Sequence, residues 1–438
     1  NYEWTFRGSV TDLDLQKLNM SQTPLGGSLD FNGNASFNPD SMLVDAQIKI
    51  PNIDITMNET TFGTKDIDLG FKATENSTVA ELHNQDLLIN MSSPLGLTMI
   101  MEKIAKTTEI ADSSISRQRI ELDSIAQNMP PFKAALSLGP KNIVSAFLSK
   151  KGSSIKSLRM NLSNDSELSM NGALLGYVTP TSIIDTLKLN MWQKDDTLSF
   201  IMRLNNAPES PGSLADVSLT GMIEPASIEA QLHQKNFQGQ TGYDLGLNMT
   251  WQDSVVSVHF LPEHPTIGYK TWTLNETNFV SFDFAKESLD ADLLLSNKVS
   301  SVRLFTKAAT DSLGDKKTIN LSAKDILLQD WIALNPYAPP LKGNVSGEVS
   351  IFHQGDTING HANMKLTEFF YGKSRVGDFG LAANIETQPR GYIRAKGEMN
   401  VNGDRVIYVN GHLNDTTAAE PFMLDVKVDS MPLDVSNP

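Results

Sequence analysis

Cysteine is absent from all 438 residues. Disulfide frameworks, thiolate metal sites and thiol nucleophiles are thereby excluded. No run of 18 apolar residues occurs, so no segment reads as a membrane-spanning helix. Positive charge is in short supply: 36 Lys and Arg stand against 51 Asp and Glu, a formal net charge of -15. Nucleic acid is therefore not an expected partner, because phosphates demand clustered cations. The same balance disfavours a grip on anionic lipid headgroups and leaves contact with apolar tails open. Aromatic residues make up only 7%, which speaks against a surface of clustered rings such as a glycan-binding face would carry. The opening residues "NYEWTFRGSV" alternate like a strand and lack a basic, apolar leader, so they read as the interior of a longer protein.

What the sequence has in abundance is alternation. In "PLKGNVSGEVSIFHQGDTINGHANMKL" (Pro340 to Leu366), Val345, Val349 and Ile351 share one face, and polar residues occupy the other. After Gln354-Gly355-Asp356, read as a turn, Ile358, Met364 and Leu366 continue the pattern. "GDFGLAANIET" places Phe379, Leu381 and Ile385 together, and "GYIRAKGEMNV" does so for Ile393, Met399 and Val401. A period of two with one apolar face is the mark of a half-buried antiparallel strand. Earlier runs behave alike, with Ile67, Leu69, Phe71 and Ala73 on one side, and Leu289, Ala291, Leu293 and Leu295 on another. Short polar links, among them Gln388-Pro389-Arg390-Gly391 and Asn402-Gly403-Asp404-Arg405, predict hairpins. No βαβ alternation is present, which argues against an α/β enzyme.

One region changes period. Ser93 reads as a helix cap and Pro94 as a first helical residue. Leu97, Ile100, Met101 and Ile104 follow at helical spacing, as do Leu122, Ile125, Ala126 and Met129, before Pro130-Pro131. A second helix is expected from Pro140, with Ile143, Val144, Phe147 and Leu148 on one face and Lys150-Lys151-Gly152 at its end. The expected division is a β segment 1–92, a helical insert 93–152, a further β segment 153–316 and a second β unit 317–438, which the family resemblance given below turns into groove segments. An internal echo supports repetition: Asp12 to Gly33 and Asp325 to Gly347 share D-x-x-L-Q, an apolar stretch, and Pro-Leu opening a strand.

Chemical motifs are weak. His259 and His264 in "HFLPEH" flank Pro262, and a surface loop is the expected reading over a metal site. "GGSLDFNGNASF" lacks a following helix and reads as a turn, not a phosphate cradle; "DSLGDKK" (Asp311 to Lys317) reads as a hairpin tip. No nucleophile, P-loop or zinc-protease signature occurs, and no carboxylate pair stands out. The expectation is a protein without catalytic, metal or cofactor residues.

An alternating sheet must hide its apolar face, either against a second sheet or by curling on itself, and periodicity does not separate the two. "HPTIGYKTWTLNETNFVSFDF", "LLLSNKVSSVRLF", "INLSAKDILLQDWIAL" and "FFYGKSRVGDFGLAANIE" resemble the TamB proteins of the Bacteroidetes, within the AsmA-like group, most clearly over 217–413. The resemblance implies an all-β fold: a long, twisted antiparallel sheet curled into a groove, with a small helical insert. It implies a periplasmic location and an N-terminal inner-membrane anchor. Its implied partners are phospholipid acyl chains and an outer-membrane β-barrel protein of the Omp85 type. Under that reading Val345, Val349, Ile351, Ile358, Met364, Leu366, Phe379, Leu381, Ile385, Ile393, Met399 and Val401 line the groove. Three functions stay open: a lipid conduit, a scaffold pairing its edge with client strands, and an adhesin-like sandwich.

Overall fold

The structure, a computed structural model, describes residues 2–41, 43–58, 60–117, 119–180, 182–206, 216–308, 317–332, 340–354, 357–388, 392–413 and 422–429. Contacts divide the chain into two units, Asn1–Ala230 and Gln231–Pro438. The division falls inside the expected segment 153–316.

In the first unit, β1 (Tyr2–Asp14), β2 (Leu25–Asn38), β3 (Leu43–Met57), β4 (Thr60–Thr74), β5 (Ser77–Asn84) and β6 (Leu87–Ser93) come first. Next are α1 (Leu97–Ser116), α2 (Leu122–Asn128), β7 (Phe132–Leu138) and α3 (Ile143–Lys150). The unit continues with β8 (Ser154–Asn164), β9 (Leu168–Val178), β10 (Ile183–Lys194), β11 (Thr197–Asn205) and β12 (Asp216–Glu224). Every strand from β1 to β12 pairs antiparallel with the next. β13 (Ser227–Lys235) spans the division.

The second unit holds β14 (Thr241–Gln252), β15 (Val255–Ile267), β16 (Lys270–Thr271), β17 (Thr273–Leu274), β18 (Phe279–Asp283), β19 (Ser288–Ser296) and β20 (Ser301–Ala308). β21 (Lys317–Leu327), α4 (Leu328–Ile332), β22 (Leu341–Gln354), β23 (Thr357–Tyr371), β24 (Ser374–Thr387), β25 (Ile393–Val401), β26 (Asp404–Leu413) and β27 (Phe422–Val428) complete it. β15 pairs with β18, and from β18 onward each strand joins its successor. The expected all-β, antiparallel architecture is present, and it is not closed into a barrel. Among the described residues β1 pairs only with β2, and β27 only with β26.

Local chemistry explains the turns. Asn402 and Gly403 both take positive φ, 53° and 91°, in a two-residue loop between β25 and β26. That is the mirror-image turn whose twist matches the flanking strands. The Gln388–Gly391 link, the 354–356 turn and the Asp311–Lys317 tip lie wholly or partly outside the described residues.

The echo between Asp12 and Asp325 is structural. Each sits at a break in strand register, between Val10 and Leu13 or between Ala323 and Ile326. Both adopt positive φ, 55° and 50°. Each donates its backbone N–H to a serine hydroxyl on the facing strand, Ser28 at 3.1 Å or Ser346 at 2.9 Å. Asp tolerates the left-handed conformation better than most residues, and a bulge of this kind bends its strand and raises the local twist. Both following strands, β2 and β22, start at the Leu of Pro-Leu.

Several expectations are corrected. Ser93 ends β6 and donates its hydroxyl to the Pro131 carbonyl at 2.7 Å, and α1 begins only at Leu97. Pro140 does not open α3; Asn142 caps it, accepting the Ser145 N–H at 3.0 Å. Between the helices, Phe132–Leu138 returns to the sheet as β7, because its alternating apolar face completes the ladder between β6 and β8. "GGSLDFNGNASF" lies in β2 rather than in a turn. A Cβ on Gly27 would stand 2.1 Å from the Asp54 carbonyl oxygen, so the glycine permits close strand approach. "HFLPEH" lies within β15 rather than in a loop, and His259 Nδ1 donates to the Asn278 carbonyl at 2.6 Å.

The C-terminus of α3 follows the expected stop. Gly152 takes φ 70°, its N–H reaches the Ser149 carbonyl, and the Ser153 N–H reaches Leu148. At the other end Asn142 also donates to Asp86 Oδ1 at 2.6 Å and to the Gly139 carbonyl at 2.8 Å. Asn142→Ala is expected to cost the first unit about 1–2 kcal/mol, from the lost cap and the unpaired groups around it; urea unfolding followed by circular dichroism measures it.

Candidate functional site

Cross-strand registers align the alternating residues into rows that run from strand to strand. In the first unit one row starts at Phe6 and passes through Gly33, Ile48, Leu69, Leu82 and Ile89. It continues through Leu136, Met160, Gly172, Leu189, Met202 and Leu219. A neighbouring row carries Trp4, Ala46, Phe71, Met91, Leu162 and Phe200 at the corresponding strands. Neither row contains a charged residue. With strands about 4.8 Å apart, a row of twelve covers about 50 Å along the unit. Glycine in the row is filled by its neighbour: a Cβ on Gly33 would meet the Phe6 ring at 2.8 Å, so the ring lies across the gap.

The second unit repeats the arrangement. Leu304, Leu321, Val349, Ala362, Ala383 and Val409 are aligned from β20 to β26, with Gly397 between the last two. Ile319, Ile351, Ile385 and Ala395 form the next row, and Met364, Leu381, Met399 and Ile407 a third.

These rows are poorly covered. Among the described residues only 16 apolar side chains are buried, and most of them lie beneath the helices of the first unit or in one cluster of the second. In the first unit α3 lays Ile143 and Leu148 on Leu87, Leu138 and Ile155. In the second, Tyr243, Ile267, Trp272, Leu274, Leu295 and Ile326 form a cap. Trp272 meets Trp331 of α4 edge-on at 5.7 Å, and the Tyr243 hydroxyl donates to the Asp330 carbonyl at 2.6 Å. Away from its closure, each unit leaves part of the apolar face open. A hollow of about 410 Å³ is lined by Ile48, Leu69, Phe71, Leu82, Ile89 and Met91. Another, of about 490 Å³, spans β22 to β26.

All twelve residues expected to line a groove lie on this one face of β22–β25. Val349, Ile351, Leu381, Ile385 and Met399 meet around the second hollow. The other seven do not. Val345 packs against the Trp272 cap. Phe379 lies edge-on to Phe369 at 5.6 Å, with Leu366 beside it in register. Met364 covers Gly347, Ile358 and Ile393 stand toward the far strand ends, and Val401 is buried at 2% exposure. The rows of the first unit were not singled out as lining, although the same alternation signals them at Ile67 to Ala73.

The opposite face is polar. Lys72 faces Asp45 at 3.5 Å and Lys49 faces Asp68 at 4.0 Å, exposed cross-strand pairs that contribute little to stability. Asp290 is different. Burial raises its pKa, but hydrogen bonds from Lys317 and Thr306, both 2.5 Å, outweigh that and hold the carboxyl below its ordinary value. Among the described residues no three His, Asp or Glu side chains converge as metal ligands. No described helix is long and apolar enough to cross a membrane. Comparison with protein-family models, curated proteins and solved structures returns no match for the chain.

An open furrow and a closed core respond differently to charge. Leu381 is 45% exposed, so Leu381→Asp is expected to shift stability by no more than about 1 kcal/mol. Val401→Asp is expected to cost about 3–5 kcal/mol, because its carboxylate would be buried unpaired. Chemical denaturation of the two variants gives both values. For Asp290, a lowered folded pKa means a contribution that is complete above the unfolded value of 3.8 and lost as pH falls through the folded one. Stability of the second unit should therefore gain an acid-side loss below about pH 4 that Lys317→Met weakens, read as Tm against pH.

Proposed function

We propose that this chain is a segment of a TamB-like, periplasmic bridging protein whose furrow carries phospholipid acyl chains between membranes. The observation that supports this reading is the uncharged rows, strand after strand, left largely open in each unit. Each methylene removed from water there gains about 0.8 kcal/mol. That attraction is non-directional, so a tail can shift from one strand to the next without breaking a specific bond. No catalytic group is needed, and the polar outer face serves solubility.

One observation favours a second reading. Among the described residues β27 pairs only with β26, and Phe422, Leu424, Val426 and Val428 on its apolar face are all at least half exposed. Such an edge can accept a client strand, as an assembly scaffold for an outer-membrane β-barrel protein would require.

Native mass spectrometry of the protein made in cells containing phospholipid separates the readings. Co-purified phospholipid is expected, and Met160→Asp combined with Leu381→Asp should remove it from a protein that remains folded. A folded protein that never carries lipid, or lipid retained by the double variant, would overturn the conduit.

A further inference from the structure

We propose that the hollow beneath α1 is a binding site for a single aliphatic chain, a station at which one tail is held under a helical roof. The proposal rests on the furrow reading and assigns it a specific place.

The hollow is about 460 Å³ and lies between α1 and the adjacent ends of β6 and β7. Ile100, Ile104 and Ala111 form its roof; Met91, Met129 and Phe132 form its floor and wall. Met91 also lines the open hollow over β3–β6, so the two spaces adjoin at one side chain. A tail lying along the row of Ile89 and Met91 thus has a direct way under α1. The helix is not packed down: Ile104 is 52% exposed although it faces the hollow. Room remains between roof and floor for an occupant.

The polar groups of the lining say what that occupant is. Ser93 donates its hydroxyl to the Pro131 carbonyl at 2.7 Å. Thr107 and Thr108 donate theirs back to the carbonyls of Lys103 at 2.7 Å and Ile104 at 3.0 Å, within the helix. Asn164 Nδ2 reaches the carbonyls of Met129 and Pro130, both at 3.3 Å. The hydroxyls of Ser93, Thr107 and Thr108, the polar side chains of the lining, thus each have a partner inside the protein. A peptide strand or a headgroup entering the hollow would leave its own donors and acceptors unpaired, which is costly away from water. A hydrocarbon chain has none to satisfy. The chemistry selects a tail, from a phospholipid or from a free fatty acid.

The test uses the full chain with two probes, a phosphatidylethanolamine bearing a diazirine midway along one tail and the matching free diazirine fatty acid. After illumination, adducts are mapped by peptide mass spectrometry. Adducts are expected on Met91, Ile104 and Met129 as well as on Leu69 and Leu82, and the probe that produces them identifies the source of the chain. Ile104→Trp fills empty space rather than packed volume. It should lower the adducts under α1 about tenfold, the effect of excluding about two methylenes, while those on Leu69 and Leu82 persist. Ala111→Phe fills the same space from the next turns of the helix and should act alike. Adducts on Leu69 and Leu82 with none on Ile104 or Met129 in the unmodified protein would overturn the station and leave the furrow reading standing. Absence of adducts at both places would overturn the furrow reading as well.

Discussion

Hydrogen bonds between successive backbones carry this fold, and almost everything else follows from how completely they do so. A strand inside an antiparallel sheet has every N–H and C=O engaged with its two neighbours, so the backbone can be satisfied without a second layer. In an ordinary domain the apolar face would then be covered to supply the remaining stability. Here the covering is local, by the helices in one unit and by the Trp272 cluster in the other. What is left is a sheet that holds together through its ladder and local side-chain pairs, with its apolar face unspent.

Covering the face locally has a physical logic. Strand ends and turns are where the ladder frays and where irregular backbone needs partners. Asn142, Asn278 and Asn164 serve such backbone: Asn278 accepts the Phe260 N–H at 2.7 Å, and Asn164 reaches the Ala126 carbonyl at 3.0 Å. The buried polar side chains are therefore part of these closures, tying helices and hairpins to the sheet. An amide NH2 that shares its two hydrogens among nearby carbonyls also fixes position more tightly than apolar packing does, because hydrogen bonds are directional.

Much of this was legible in the sequence. Strict alternation fixes which residues share a face, and hairpin links such as Asn402-Gly403 announce antiparallel neighbours. Alternation does not say how far that face is covered, and Val401 and Leu381 show why. They belong to the same face and differ entirely in burial, because one lies beside a bend in the ladder and the other at mid-strand. Helix starts were misjudged at Ser93 and Pro140 for a related reason. Both residues have the right type for a cap or first turn, but the preceding sheet pairing claims Ser93, and Asn142 offers a better acceptor two residues beyond Pro140. The echo at Asp12 and Asp325 was visible as letters; that it marks one kind of strand bend became clear only from φ and from the serine bonds.

The meander also makes the length of the furrow an inheritable quantity. Where the sheet runs in sequential hairpins, the strands on either side of a removed pair, such as β4 and β5, run in directions that still allow them to join. Loss or duplication of one hairpin would shorten or lengthen a unit by about 10 Å and leave its cross-section alone. Evolution could thus cut such a sheet to measure by small insertions and deletions, two strands at a time, as a tailor alters a sleeve.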